Sequence, residues 1–329
     1  HVARAADEDG VAVEHAVDAL EILLGELEDF LQAHEPAFGQ VAAKAADAHE
    51  GIGQARAGEV VQVLEDVVAH RHQVEEGGHA AHFANITGNA PCFSQEFPPT
   101  SMAYAETQSM FCDSLIGDAD WIKLYGRNPA GESVPDDVIR EYVTSSHPFR
   151  AFSERSILVV PVFERRLYSM PEAEMTPERL IALARQCEKE IQGIDCSPRP
   201  ILSIPHLLGS DSACSYQGYL MAHMAVYQTR AHFLSQYGYL TDNAKIGPEL
   251  ARHYWNPGNS VSHSDTIRSL TGQGLSGQAL AKFCNLSSET LWEVSSKAIS
   301  TALVRAKDGR FESAELNAQI YIVHGAEEI

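Results

Sequence analysis

The chain has 329 residues, with 45 Asp and Glu against 24 Lys and Arg and a formal net charge of −21. That balance lacks the clustered cations that phosphate binding needs, so nucleic acid is not an expected partner. Hydrophobic residues make up 44%, enough for a packed core. No apolar run reaches the roughly 18–20 residues a membrane span requires, and no basic-then-apolar signal pattern opens the chain, so no membrane association is expected and the cytoplasm is the expected compartment.

Residues 1–74 differ in composition from everything after them. They contain no Ser, Thr, Asn, Cys, Met, Trp or Tyr, and carry 15 acids against 4 bases. Val17, Leu20, Leu23, Leu24, Leu27 and Leu31 recur at helical spacing, and a second helix is predicted over about Glu59 to His70. A segment without hydroxyl side chains offers few of the preferred helix caps. Residues 1–74 are therefore read as an atypical acidic helical leader, foreign to the sequence that follows and joined to it near Val74.

The stretch from Glu75 to Asp113 carries the chemistry. It reads as a helix with Glu76, His79 and His82, a loop punctuated by Gly88 and Pro98-Pro99, and a second helix opening near Ala103 with Glu106 and Asp113. Glu76 and His79 are three apart and share a helix face. This is the back half of an H-E-x-x-H zinc motif, in which the two His bind the metal and the Glu is the general base. Glu75 stands where the first His belongs. His70 and His72 lie nine and seven positions before His79, about 10 Å or more along a helix, too far to share one ion with it.

Further along, Met110, Phe111, Leu115 and Ile122 give a buried stripe in a helix predicted over Thr107 to Tyr125, and Gly126 to Pro135 reads as a turn-rich linker. Val138 to Val162 is predicted mainly helical, interrupted at His147-Pro148. Thr176-Pro177-Glu178 starts a helix to about Gly193. Ser197 to Pro205 is Pro-rich and reads as extended, delivering His206 to a Tyr-rich block whose helix is predicted over Ser212 to Gln236. Asn256 to Ser260 is a tight turn, flanked by His253 and His263 as structural residues. Helices follow at about Ser264 to Leu270, Ser276 to Cys284 and Ser288 to Lys307, then a short strand over Ala318 to Val323. Cys92, Cys112, Cys187, Cys196, Cys214 and Cys284 lack C-x-x-C pairing and suit reduced thiols better than a disulfide framework.

The runs Gly78-His79-Ala80-Ala81-His82-Phe83-Ala84-Asn85-Ile86 and Ala105-Glu106-Thr107-Gln108-Ser109-Met110-Phe111, with the later His- and Tyr-rich block, resemble the thimet oligopeptidase and oligoendopeptidase F family of zinc metallopeptidases. The resemblance covers about Glu76 to Leu291. It implies a mainly α fold, a helical zincin-type catalytic lobe over residues 75–329, and zinc-dependent endopeptidase activity on short peptides. It further implies that His79 and Glu106 are zinc ligands, Glu106 falling 27 positions after His79 and close to the family's spacing. Glu75 takes the place of the family's first His; a carboxylate there adds negative charge, so weak zinc binding and impaired activity are the expectation, and solvent exposure of Glu75 is the plainer alternative. Glu96 competes with Glu106 at a shorter spacing, from within a Pro-bounded loop. Asp113, seven after Glu106, is placed to hydrogen-bond a zinc-bound imidazole.

Within the resemblance Glu76 is the general base, and His206 and Tyr219 are the donors that stabilise the oxyanion. Tyr216 also matches a family Tyr, while Ser212 and Gln217 replace two others. The chain lacks the family's preceding helical region and reads as a C-terminal catalytic portion. Two other readings of the same residues are an inactive helical pseudo-peptidase or binding scaffold, and an acidic adaptor whose helix near Leu20 to Leu31 docks a partner.

Overall fold

In a computed structural model of the protein, the structure describes residues 74–87, 101–127, 131–195, 197–209 and 212–307, together with two short strands at 323–324 and 327–328. The leader, the loop at Gly88 and Pro98-Pro99, Glu96, Cys92, Cys196 and most of the predicted strand lie outside those residues. Of the described residues 75% are helical, so the fold is mainly α, as the sequence predicts.

Helix α1 covers residues 74–84, and α2 runs Met102–Ile116. The single helix predicted to Tyr125 is in fact two, because α3 begins anew at Ala119–Tyr125. The break at Gly117-Asp118 has a physical cause. Arg230 donates from Nη2 to Asp118 Oδ1 and Oδ2 at 2.7 and 2.9 Å, and from Nη1 to the Ser114 carbonyl at 3.2 Å. The guanidinium thus satisfies a carbonyl at the end of α2 and holds the carboxylate that opens α3.

Helices α4 (Asp136–Ser146) and α5 (Arg150–Tyr168) are separated by one 3₁₀ turn at His147–Phe149, where the interruption was predicted. Helix α6 (Pro177–Cys187) opens as predicted, Thr176 accepting from the Arg179 N–H with Pro177 in the first turn. It continues as a π turn to Gln192. The Pro-rich stretch before His206 is not extended. It coils into two 3₁₀ turns, Ile201–Ser203 and Pro205–Leu207, because Ile201 and Ile204 are drawn into the core.

Helix α7 (Gln217–Tyr237) starts five residues later than predicted, after turns through Ser212 to Tyr216. Helix α8 (Ile246–Leu250) leads through a π turn and the 3₁₀ turn Gly258–Ser260 into α9 (His263–Thr271), then α10 (Gln278–Cys284) and α11 (Ser288–Lys307). Val323–His324 and Glu327–Glu328 pair antiparallel. No helix among the described residues is long and apolar enough to cross a membrane.

Three apolar clusters form the core. Leu158, Phe163 and Val160 of α5 meet Cys187, Ile201 and Met224. Phe111 of α2 meets Phe233 of α7, with Tyr254 and Ile267 behind. Ile122, Ile139 and Ile299 join α3, α4 and α11. Among the described helices with named contacts the α2–α7 pair is the most extensive, and it is the axis on which the candidate site is hung.

Candidate functional site

Helix α1 lies against α2 with no room for a side chain at the crossing. A Cβ on Gly78 would sit 2.8 Å from Ser109 Cα and 3.2 Å from the Gln108 carbonyl oxygen. One turn on, His82 is fully buried, its ring edge-on to Tyr104 at 4.9 Å. The order of these contacts, Gly78 at Ser109 and His82 at Tyr104, makes the two helices antiparallel.

His82 Nε2 is 2.9 Å from Tyr104 Oη, and Tyr104 Oη donates to the Tyr254 carbonyl at 2.6 Å. The phenol has one proton and spends it on Tyr254, so His82 must donate through Nε2 and keep its lone pair on Nδ1. Burial, with the charge of His79 adding to it, lowers the His82 pKa to about 4, and the ring is neutral. The same logic fixes His263. Thr107 Oγ1 donates to the Ala103 carbonyl at 2.6 Å, so His263 Nε2, 3.0 Å away, is the donor to it. Burial lowers the His263 pKa to about 4 as well. His263 is structural, as predicted; His253 meets Ser269 Oγ at 2.7 Å.

Around this buried seam sit the residues singled out in the sequence. His79 follows Gly78 and is partly buried, its ring stacked toward Phe83 at 6.5 Å. Glu75 is partly buried one turn before Gly78, and Glu76 is exposed. On α2, Glu106 is partly buried one turn from Ser109, whose hydroxyl donates to the Glu106 carbonyl at 3.1 Å and reaches its Oε2 at 3.5 Å. Asp113 lies two turns beyond Glu106, on the part of α2 facing the start of α1. His79 and Glu106 therefore flank one helix crossing. Among the described residues no group of three His, Cys, Asp or Glu side chains is gathered as a metal site.

The second half of the site is drawn together more tightly. His206, in the 3₁₀ turn, and Tyr219, in the first turn of α7, form a hydrogen bond of 3.1 Å between Nε2 and Oη. Tyr216 packs edge-on to both rings, each at 5.1 Å, and Arg199 donates to its hydroxyl at 3.1 Å. This end of α7 abuts α2: a Cβ on Gly218 would lie 2.9 Å from Met102 Cε and 3.2 Å from the Ala103 nitrogen. The first turn of α7, which carries Tyr219, is thereby seated at the N-terminal end of α2, the helix that carries Glu106.

Sequence reasoning missed Tyr104, Arg199 and Glu164. Tyr104 shares no helix face with Glu106, and its partners His82 and Tyr254 are 22 and 150 positions away. Arg199 sits between two prolines that signal only a turn. Glu164, 3% exposed on α5, accepts from the Cys214 N–H at 2.7 Å across 50 positions.

No family model matches the chain, and no curated protein matches it. Among solved structures it is similar to the crystal structure of BsuCP, with a TM-score of 0.50 and 21% identity over 67% of this chain and 47% of that one. At that identity the likeness is one of fold. The chain spans about half the length of the solved structure it matches.

Proposed function

We propose that the protein is a zinc-dependent oligopeptidase of the thimet oligopeptidase and oligoendopeptidase F type, its metal site weakened by Glu75, acting on short peptides in the cytoplasm. The observation that carries the reading is the junction at α2. The two sequence blocks that resemble the family meet on one helix, α1 crossing it at Gly78 and the first turn of α7, which carries Tyr219, abutting its start at Gly218. Nothing in the spacing of the two blocks, more than 90 positions apart, requires that meeting.

The donors at the crossing fit zinc in kind, one imidazole and carboxylates, although they do not stand as a three-donor group. His79 and Glu106 would hold the ion, with Glu75 as the third donor, and Asp113 would orient the ligating imidazole. Zinc, when bound, acidifies a water toward neutral pH and polarises the scissile carbonyl. Glu76, exposed and one turn before His79, accepts a proton and returns it to the leaving amine. Tyr219 Oη and His206 Nε2 share one hydrogen bond in this state; a substrate oxyanion arriving beside them takes the donor that the pair now spends on itself. Among the described residues Cys112, Cys187, Cys214 and Cys284 are free of disulfides, which suits a reducing compartment.

The test is hydrolysis of an internally quenched short peptide by the zinc-dialysed chain. Activity abolished by a chelator and by Glu76→Gln supports the reading, and activity unchanged by Glu76→Gln contradicts it. Glu75 and the ungathered donors favour a second reading, a helical pseudo-peptidase or scaffold that keeps the fold and leaves zinc unbound. That reading requires no zinc retention and no turnover.

A further inference from the structure

Tyr216 and Tyr219 lie two and five residues after Cys214, which holds a backbone conformation that residues other than Gly rarely adopt, φ +60°. Something outside the loop has to hold it there. The Cys214 N–H donates to Glu164 Oε1 at 2.7 Å, and the Tyr168 hydroxyl, one turn further along α5, meets the Cys214 thiol. Glu164 is nearly fully buried on a helix whose preceding turns are packed in the main core, so its carboxylate is a fixed point rather than a mobile surface group. From Cys214 the geometry is relayed forward by short local bonds. Gln217 Nε2 donates to the Cys214 carbonyl at 2.7 Å, the Gly218 N–H to Ser215 at 2.8 Å and the Tyr219 N–H to Tyr216 at 3.3 Å. These bonds set the first turn of α7, and that turn aims the Tyr219 hydroxyl at His206.

We propose that Glu164 is a positioning residue for the His206–Tyr219 donor pair, acting through the Cys214 N–H to fix the turn that launches α7. The role in turnover rests on the peptidase reading above; the positioning of the pair does not. A fixed oxygen acceptor suits the task, because a buried backbone N–H needs a hydrogen-bond partner and one held in place can keep a residue in the left-handed region. Removing it frees Cys214 to relax toward negative φ, turning Tyr219 away from His206. A displacement of that kind at a site of reaction costs rate rather than binding.

The experiment uses the full chain with nitrogen-labelled histidine, the His206 ring resonances being assigned by their loss in His206→Gln. Glu164→Ala is expected to shift the His206 Nε2 signal while the buried His82 and His263 signals stay in place. Adding Cys214→Gly, which accepts positive φ without strain, is expected to bring the His206 signal back toward its original position. With a quenched short peptide, kcat is expected to fall about tenfold with KM within about twofold. Glu164→Gln keeps an accepting oxygen and is expected to leave the His206 signal in place; should Glu164→Ala fail to fold, Glu164→Met, which fills the buried volume without an acceptor, is the deciding variant and is expected to shift it. A folded Glu164→Ala with an unmoved His206 signal overturns the proposal. So does a shift shared by His82 and His263, which marks a general loosening, or a Glu164→Gln chain that moves His206 while remaining folded. A chain that hydrolyses no peptide in any form removes the peptidase reading and leaves the resonance comparison to decide the positioning.

Discussion

The imidazole of His206 and the hydroxyl of Tyr219 share a 3.1 Å hydrogen bond, although one sits in an isolated 3₁₀ turn and the other in the first turn of a 21-residue helix. The bond ties a Pro-rich connection to α7 and leaves an imidazole and a phenol side by side at the start of α7. Tyr219→Phe removes the hydroxyl and keeps the ring packing against Tyr216. Peptide hydrolysis is expected to fall about 10²-fold in kcat, with stability changed by about 1 kcal/mol or less. Steady-state kinetics beside a urea titration reads both quantities.

Gly78 is where α1 meets α2. Gly78→Ala places a methyl group 2.8 Å from backbone on the facing helix, which cannot swing aside as a long side chain would. The expected cost is about 1–3 kcal/mol, outweighing the roughly 1 kcal/mol of helix propensity that Ala gains over Gly. Hydrolysis should fall too, since His79 adjoins the displaced residue. A urea midpoint equal to or above that of the parent chain would show that the crossing is looser than the geometry says.

Two buried neutral histidines set an acid limit. His82 and His263 each have a pKa of about 4 in the fold against 6.5 when unfolded. Between those values the unfolded chain binds the extra protons, so folding stability is complete above pH 6.5 and falls as pH drops toward 4. Each histidine accounts for a loss on the order of 3 kcal/mol over that window. Unfolding measured at pH 7, 5.5 and 4.5 should show the decline, and His263→Phe should flatten it by about half. An unchanged slope in His263→Phe would place the acid sensitivity elsewhere.

Arg230 is held by Asp118 and Ser114 at the break between α2 and α3, with 14% of its side chain exposed. Arg230→Met leaves the Asp118 carboxylate without its partner and is expected to cost about 3 kcal/mol or more. Asp118→Asn in the same chain should recover part of that loss, since the amide carries no charge to strand. Thermal unfolding of the single and double variants gives the comparison.

The helices were legible where the signal is local. Thr176-Pro177-Glu178 predicts the start of α6, and the helix read over Ser288 to Lys307 coincides with α11, because caps act within a turn or two. The break at Gly117-Asp118 was not legible, since its cause is Arg230, more than 110 positions away. Ser197 to Pro205 was misread as extended because proline marks departure from an α-helix without saying what replaces it. At the site, His206 and Tyr219 were found through resemblance, and the structure places them in contact. Tyr104 and Glu164 were invisible because each is defined by a partner distant in sequence. The assignments of His79, Glu106 and Glu75 rest on spacing and resemblance, and the helix crossing at Gly78 supplies their setting.

The most direct measurement is zinc stoichiometry after dialysis with zinc, with peptide hydrolysis measured alongside, for the chain as it stands and for Glu75→His. An imidazole at position 75 completes the pair of His four apart on α1 that zinc motifs of this kind use. The account predicts weak, substoichiometric zinc in the parent chain, near one zinc per chain in Glu75→His, and a peptidase activity there that Glu76→Gln abolishes. Glu75→His that binds no more zinc than the parent chain would contradict it.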